Sequence, residues 1–367
     1  MSARALPALD RMLLAELVRL FTATLAAVVL LYLVIDFADR GSSYHIESWT
    51  MARALIELYA DRGAVVTLQL APAALVIAAA LLVAQLDRRG ELTALLALGV
   101  RPIRLCAPLA AFALLLGAGL VLLEEKVVVH ADARAEEITA VLFHRWNDYG
   151  AWHARTHWVR GKEGRFFLLG EQRGGGFSPA TIFEVEAPFH LARRLDGARL
   201  EQLGPGQWRL VDAVERRYAD ESIDETRAPF LLLALPEHLD ELALRSGRPR
   251  QLTFGELRQQ ARLRAEVGQP DLEFRAALFE RTAQPLLPLP ASLAAVGLTL
   301  RRRRGKPRPP PLASALALAL VLVLGLWAVS VVAHAAAVGG TLSPLVAGVI
   351  PLALCAGLAA VAFAGRL

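Results

Sequence analysis

Cysteine is scarce in this chain, and so are the motifs of soluble catalysis. Only two cysteines occur in 367 residues, Cys106 and Cys355, both in or beside apolar runs. Two isolated thiols build neither a disulfide framework nor a metal site, since both need clustered partners. No G-x-x-x-x-G-K-S/T loop occurs, so the chain lacks that phosphate cradle for ATP. His153 and His157 stand four apart without the glutamate and third ligand of a zinc hydrolase. Ser330 and His334 would share one face of a helix, but nothing nearby in the sequence supplies an oxyanion site or a third orienting group. The glycine run Gly174-Gly175-Gly176 lacks the context of a phosphate loop and reads as a strand connection. No catalytic residue, no metal site and no cofactor bound by the chain itself are expected. The N-terminal MSARALPALDR precedes an apolar run with no small-residue cleavage site, so it reads as a retained first helix.

What the chain has in abundance is apolar length. It is 55% hydrophobic with a mean hydropathy of +0.42, too apolar for a soluble protein of this size. Several runs exceed the roughly 18 residues that a membrane helix needs. Six spans are read, at about Met12–Phe37, Ala64–Leu86, Val100–Leu123, Leu278–Leu300, Leu312–Ala335 and Leu342–Phe363. Pro285, Pro288 and Pro290 predict a kink in the fourth. Apolar residues at 55, 56, 58 and 59 suggest a short interfacial helix before the second, and Glu124–Asp148 could extend the third beyond the bilayer. Between spans three and four the texture turns to short strands, Arg165–Leu169, Thr181–Glu186, Phe189–Leu195, Ala198–Leu203 and Trp208–Val214. Asp196-Gly197 is a dipeptide suited to a type I′ hairpin, and the regular spacing predicts a β-sandwich or jelly roll. Thr253 and Glu256 have capping-box spacing for a helix over Phe254–Val267. The fold class is therefore an α-helical integral membrane protein of six transmembrane helices (3+3) with an inserted β-domain. Residues 1–124 carry spans one to three, 125–275 the β-rich domain with flanking helices, and 276–367 spans four to six.

Arginine sets the orientation. Arg88, Arg89, Arg101 and Arg104 in one loop and the run Arg301–Arg308 in another both require the cytoplasmic side. Both termini and the loops at 87–104 and 301–311 are then inside, while 38–63, 125–275 and 336–341 are outside. Directly after an apolar span the arginine run is topogenic, not a nucleic-acid patch.

The loop at 85–104 is a charged island, QLDRRGELTALLALGVRPIR, in which Leu92, Leu95 and Leu96 recur at helical spacing. Gly99 and Pro102 would end that helix. By spacing alone it is either a docking element or an ordinary helix on the membrane surface. Arg89-Gly90-Glu91-Leu92-Thr93-Ala94-Leu95 followed by Gly99 resembles the cytoplasmic coupling-helix signature of the LptF/LptG permeases. These are the transmembrane subunits of the ABC transporter that extracts lipopolysaccharide from the inner membrane of Gram-negative bacteria. In that family the glutamate of the motif sits in a groove of the ATPase subunit, and here that position is Glu91. The resemblance implies a coupling helix at about 87–99, with Arg89, Glu91, Leu92, Leu95 and Gly99 docking an ATPase.

The resemblance covers nearly the whole chain. Leu9-Asp10-Arg11, Arg281-Thr282-Ala283-Gln284-Pro285-Leu286 and the short C-terminal end are more similar to the G type. The departures are Gly90 where many members carry serine, Asp36 where G-type members can carry a lysine that meets lipid phosphate, and Val129 where a proline often follows span three. The implied partners are an LptB-like ABC ATPase dimer holding ATP and Mg, a homologous F-type permease subunit, a single-span LptC-like subunit, a periplasmic bridge protein, lipopolysaccharide and membrane lipid, with no nucleic acid. The implied location is the bacterial inner membrane, multi-pass. Lys126, Arg134, Arg275 and Arg281, near the outer surface by this topology, either meet lipid phosphates or anchor helix ends. Two alternatives differ in class or family: a non-transporting inner-membrane scaffold whose β-domain binds a partner, and a lipoprotein-release permease, which normally places its periplasmic domain after the first span.

Overall fold

The computed structural model describes residues 5–41, 44, 49–142, 157–173, 175–186, 190–219, 222–242, 249–267, 271–303 and 311–364. It divides into two compact units, a helical one of residues 1–139 and 275–367 and a second of residues 140–274.

The helical unit begins with α1 (Ala5–Arg40) and α2 (Trp49–Arg88). α2 is one continuous 40-residue helix, so the interfacial helix expected near residues 55–59 is merely its first turns. Nothing in that stretch breaks a helix, and Gly63 lies inside it at the cost of roughly 1 kcal/mol. The seven-residue α3 (Glu91–Ala97) and a 3₁₀ turn (Pro102–Leu105) lead into α4 (Cys106–Leu123). A π-helical turn (Glu124–Val128) joins α4 to α5 (Val129–Leu142), so the third apolar run continues well past Leu123. That continuation places residues 125–139 with the helices, whereas the sequence suggested grouping them with the β-rich region.

After the β-region come α6 (Phe254–Val267), α7 (Leu272–Ala283) and α8 (Pro288–Arg303). The bundle ends with α9 (Leu312–Val338) and α10 (Pro344–Phe363). The capping box closes as expected: Thr253 N–H donates to Glu256 Oε2 at 2.9 Å and Glu256 N–H to Thr253 Oγ1 at 3.4 Å. Five described helices are long and apolar enough to cross a membrane. The pair α7–α8, bent by 48° across a 3₁₀ turn at Gln284–Leu286, brings the number to six when it is counted as one broken span. The prolines there remove the N–H groups that would carry a straight helix through.

Small residues hold the bundle together. Val76, Ile77 and Ala80 of α2 meet Ala291 and Ala295 of α8, Ala319 of α9 and Cys355 of α10 in one buried cluster. A second joins Leu13, Leu17 and Phe21 of α1 to the rest of α2, to α4 and to Val296 and Leu300 of α8. Gly117 on α4 is forced by contact, since a Cβ there would lie 2.2 Å from the Pro285 carbonyl oxygen at the bend. Close backbone approach of this kind replaces the hydrophobic drive that lipid cannot supply.

The inserted unit is built on a seven-stranded antiparallel sheet. Its strands are β1 (His157–Arg160), β2 (Arg165–Arg173), β3 (Gly176–Glu186), β4 (His190–Gly197), β5 (Arg199–Gly204), β6 (Gln207–Ala219) and β7 (Ser222–Ala234). The expected hairpin at Asp196-Gly197 does not form. β4 and β5 run end to end between β3 and β6, with Ala180 opposite Gly197 and then Phe177 opposite Leu200. Gly197 does not take the positive φ that a type I′ turn demands. Its Asp196 neighbour is engaged by Thr181 and Arg216 from the strands on either side and by Arg194 on its own strand. The described strands thus form one sheet where two packed layers were expected.

That sheet still reaches a sandwich-like core because it is creased. Inward positions shift parity along one line, from Phe177 to Ala180, from Leu195 to Leu200 and from Leu210 to Ala213, with Asp212 at φ 51 on the line. Both sides of the crease therefore turn apolar residues inward. Trp208 is fully buried, and its indole donates to the Glu237 carbonyl at 3.1 Å. Leu242 and Leu263 close the core.

Charge pairs rib the sheet. Hydrogen bonds from Arg209 hold the Glu201 carboxyl below its ordinary range, and those from Arg227 and Arg216 do the same for Glu225. At Glu215 burial opposes the shift, but hydrogen bonds from Arg217 and Arg193 overcome it. Depressed folded values mean stability that is present above the unfolded carboxylate range and lost as pH falls through the folded values. Proteolysis of residues 157–235 in the solubilised full chain should therefore be slow and nearly constant from pH 7 to about pH 5, and should accelerate below about pH 4. A flat profile to pH 3 would show that these pairs contribute nothing.

Candidate functional site

α3 is framed by two glycines in the left-handed region, Gly90 at φ 76 and Gly99 at φ 78. These let the chain leave α2, make two turns of helix and leave again within ten residues. Leu92 is 1% exposed and Leu95 packs beside it against the α1–α2–α4 core. Both were expected to meet a partner, and instead they fasten α3 to its own bundle. The outward surface consists of Thr93, Ala94, Leu96, Ala97 and Leu98, with Leu98 71% exposed and Glu91 half-buried at the N-terminal end. Arg89 and Gly99 are exposed.

Ion pairs tie α1 to both ends of this loop. Arg89 Nη2 lies 3.3 Å from Glu16 Oε1, which Arg19 also binds at 2.7 Å. Beyond α3, Arg104 Nη2 donates to Asp10 Oδ2 at 2.6 Å. Asp87, at the root of the loop, is buried, and its carbonyl accepts from Gly90 N–H at 3.1 Å. It therefore belongs to the framework of the loop.

The four cations singled out as lipid contacts separate into two kinds. Arg281 is buried, with Nε 2.8 Å from Glu124 Oε1, and this pair joins α7 to the π-helical turn after α4. Arg134 is exposed and lies 3.7 Å from Asp61. Lys126 and Arg275 are exposed. Sequence reasoning missed a partly buried cluster at the end of α1. Asp36 accepts from Tyr59 at 3.1 Å, pairs with Arg40 at 3.1 Å and binds Arg62, whose guanidinium also donates to Tyr44 Oη at 3.2 Å. Asp36 and Arg62 are 26 positions apart, and the only signal was opposite charge at the same end of two consecutive apolar runs.

Ser330 and His334 do acquire the third group that the sequence could not show. His334 Nδ1 lies 3.2 Å from Glu280 Oε2, across from α9 to α7. The Ser330 hydroxyl is spent on the Leu326 carbonyl at 3.0 Å, and an interior helical turn has no N–H groups left over for an oxyanion. The arrangement is a polar bridge between helices, not a hydrolase. His157 sits on β1 opposite Leu169, and His153 lies outside the described residues.

These features define a polytopic helical membrane protein with a β-domain inserted after its third span and a short amphipathic helix in the loop between its second and third spans. The family model for the lipopolysaccharide export system permease LptF/LptG matches residues 11–364, and the chain belongs to that family. The description covers both types without dividing them. No curated protein matches the chain. The family is one of multi-pass inner-membrane permeases, which accords with the apolar helices and the β-insert.

The Arg281–Glu124 pair generates a test. Breaking a buried ion pair from one side leaves an uncompensated charge and costs about 3–5 kcal/mol, while replacing both partners with apolar groups is close to neutral. Arg281→Met should lower the thermal inactivation temperature of the solubilised protein, and adding Glu124→Leu should restore most of it. A cation held available for lipid would give the opposite ranking, with the single variant unchanged in stability.

Proposed function

We propose that this chain is the permease subunit, of the G type, through which an ABC exporter draws lipopolysaccharide from the inner membrane, with ATP and Mg held by a separate ATPase dimer. The carrying observation is α3. It is short, framed by two left-handed glycines, anchored inward by Leu92 and Leu95, and it presents Glu91 with the apolar edge of Leu96 and Leu98. The ATPase groove would receive that edge and the Glu91 carboxylate. Movement of α3 would pass to α1 through Glu16–Arg89 and Asp10–Arg104, so Arg89 acts as a tether on the permease side of the joint.

Partnership with an F-type subunit, a single-span LptC-like subunit and a periplasmic bridge follows from the same reading. β7 offers the means for the bridge: among the described strands it pairs with β6 alone, and Phe230 and Leu232 are exposed along it. An unpaired strand edge is a template for another β-domain. Lys126, Arg134 and Arg275 supply exposed positive charge for lipid phosphate.

Two experiments test this. Charge-assisted contacts are worth about 1.5–3 kcal/mol, so Glu91→Ala should weaken ATPase co-purification about tenfold or more and Glu91→Lys further. Leu98→Asp should match it, and Arg88→Ala, exposed beside the helix, should behave as wild type. A helix that merely lies on the membrane surface would leave ATPase association unchanged in all four. Orientation is checked by single cysteines. Those at exposed sites in 158–232 should label with an impermeant reagent from the periplasm, and those at 93 or 302 should not; the reverse pattern would remove the docking role.

A further inference from the structure

A cavity of about 80 Å³ opens between α7, α9 and α10, lined by no residue of the coupling helix and by none of the four cations discussed above. Its walls are small: Ala276 and Ala283 on α7, Ala337 on α9, Ala347 and Gly348 on α10. One side is polar. Glu280 accepts from Gln284 Nε2 at 3.1 Å and faces His334 Nδ1 at 3.2 Å, with Ser330 one turn earlier on α9. Glu280 and His334 are 40% and 43% exposed, so the polar wall is reachable from outside.

Position and charge together restrict the occupant. His334 lies in the last turns of α9, which ends at Val338, and Pro344 at the start of α10 also lines the cavity. The cavity is therefore in the half of α9 and of α10 that adjoins the turn between them. Its lining contains one carboxylate and no lysine or arginine. The C-terminal turn of α9 and the N-terminal turn of α10 both border it, so their helix-end charges oppose one another and Glu280 sets the charge of the lining. The volume exceeds what one water needs and is well below the roughly 150 Å³ of a cavity that holds benzene. A small cation on a slender apolar stem satisfies all of these conditions.

We infer that this cavity binds an ammonium-headed amphiphile, with Glu280 as the counter-ion and the alanine and glycine walls receiving the adjoining methylenes. This does not rest on the export reading. Full-length protein is placed in nanodiscs of equal ethanolamine-headed and glycerol-headed phospholipid with matched chains. After washing in detergent, the retained lipid is quantified by mass spectrometry.

The ethanolamine lipid should be enriched about threefold, the scale of a half-exposed ion pair. Glu280→Gln and the cavity-filling Ala283→Phe should each return the ratio to that of the nanodisc, and Glu280→Asp should keep part of the enrichment. Dodecylamine as competitor distinguishes the sources. Displacement shows that the ammonium alone is recognised, and enrichment that survives it shows that the whole phospholipid headgroup is. Equal retention of both lipids by the wild-type protein overturns the inference, as does enrichment unchanged by both Glu280→Gln and Ala283→Phe.

Discussion

Hydrocarbon offers a peptide group nothing to bond to, and the helical unit is organised by that constraint. Each span must satisfy its own backbone, so the chain crosses as helices and departs from regular helix only where another part of the protein covers the break. The bend at Gln284–Leu286 is such a place: Gly117 on α4 lets the Pro285 carbonyl approach to a distance that any side chain would block. The π-helical turn at Glu124–Val128 is covered by the same neighbours, with Arg281 reaching it from α7. The ion pair thus joins the helix that leads into the bend to the π-helical turn. Removing one partner of the pair alone, or placing a side chain at Gly117, should loosen this junction.

Rigid packing above α3 gives that helix its meaning. A seven-residue helix has little stability of its own, because nucleation is costly and few hydrogen bonds repay it. Leu92 and Leu95 supply what is missing by entering the α1–α2–α4 core, and the ion pairs to Asp10 and Glu16 fix the ends. Exposed pairs of this kind are individually weak, about 0–1 kcal/mol. Their value is directional, since a displacement of the loop is carried to α1 whichever end is pushed.

The spans were legible because apolar length is a local property of sequence, and so were the kink, the capping box at Thr253 and the turn at Gly175. Pairing is not local. Asp196-Gly197 has the composition of a hairpin, but β3 and β6 on either side offer a continuous ladder that outweighs the turn preference. The same limit hid the partners of charged residues. Arg281 and Glu124 are distant in sequence, as are Asp36 and Arg62, and only the packed helices reveal that each is half of a pair. For α3 the periodicity correctly gave an amphipathic helix, but it could not say which neighbour the apolar face would meet. The bundle claimed Leu92 and Leu95, leaving Leu96 and Leu98 outside.

That redistribution of charge bears on how the protein would handle an anionic lipid. A cation paired with a buried carboxylate presents little net field to a phosphate, and displacing the carboxylate would strand it without a partner. Arg281 and Arg62 are both in that condition, so they read as fasteners of the helical unit. At the end of α1, Asp36 pairs with two arginines, Arg40 and Arg62, so the three groups share one net positive charge that the carboxylate holds in place. On the proposed reading, phosphate would be met by the exposed cations Lys126 in the π-helical turn, Arg134 on α5 and Arg275 on α7. Exposed cations attract over a Debye length but hold weakly, which suits a lipid that has to move on.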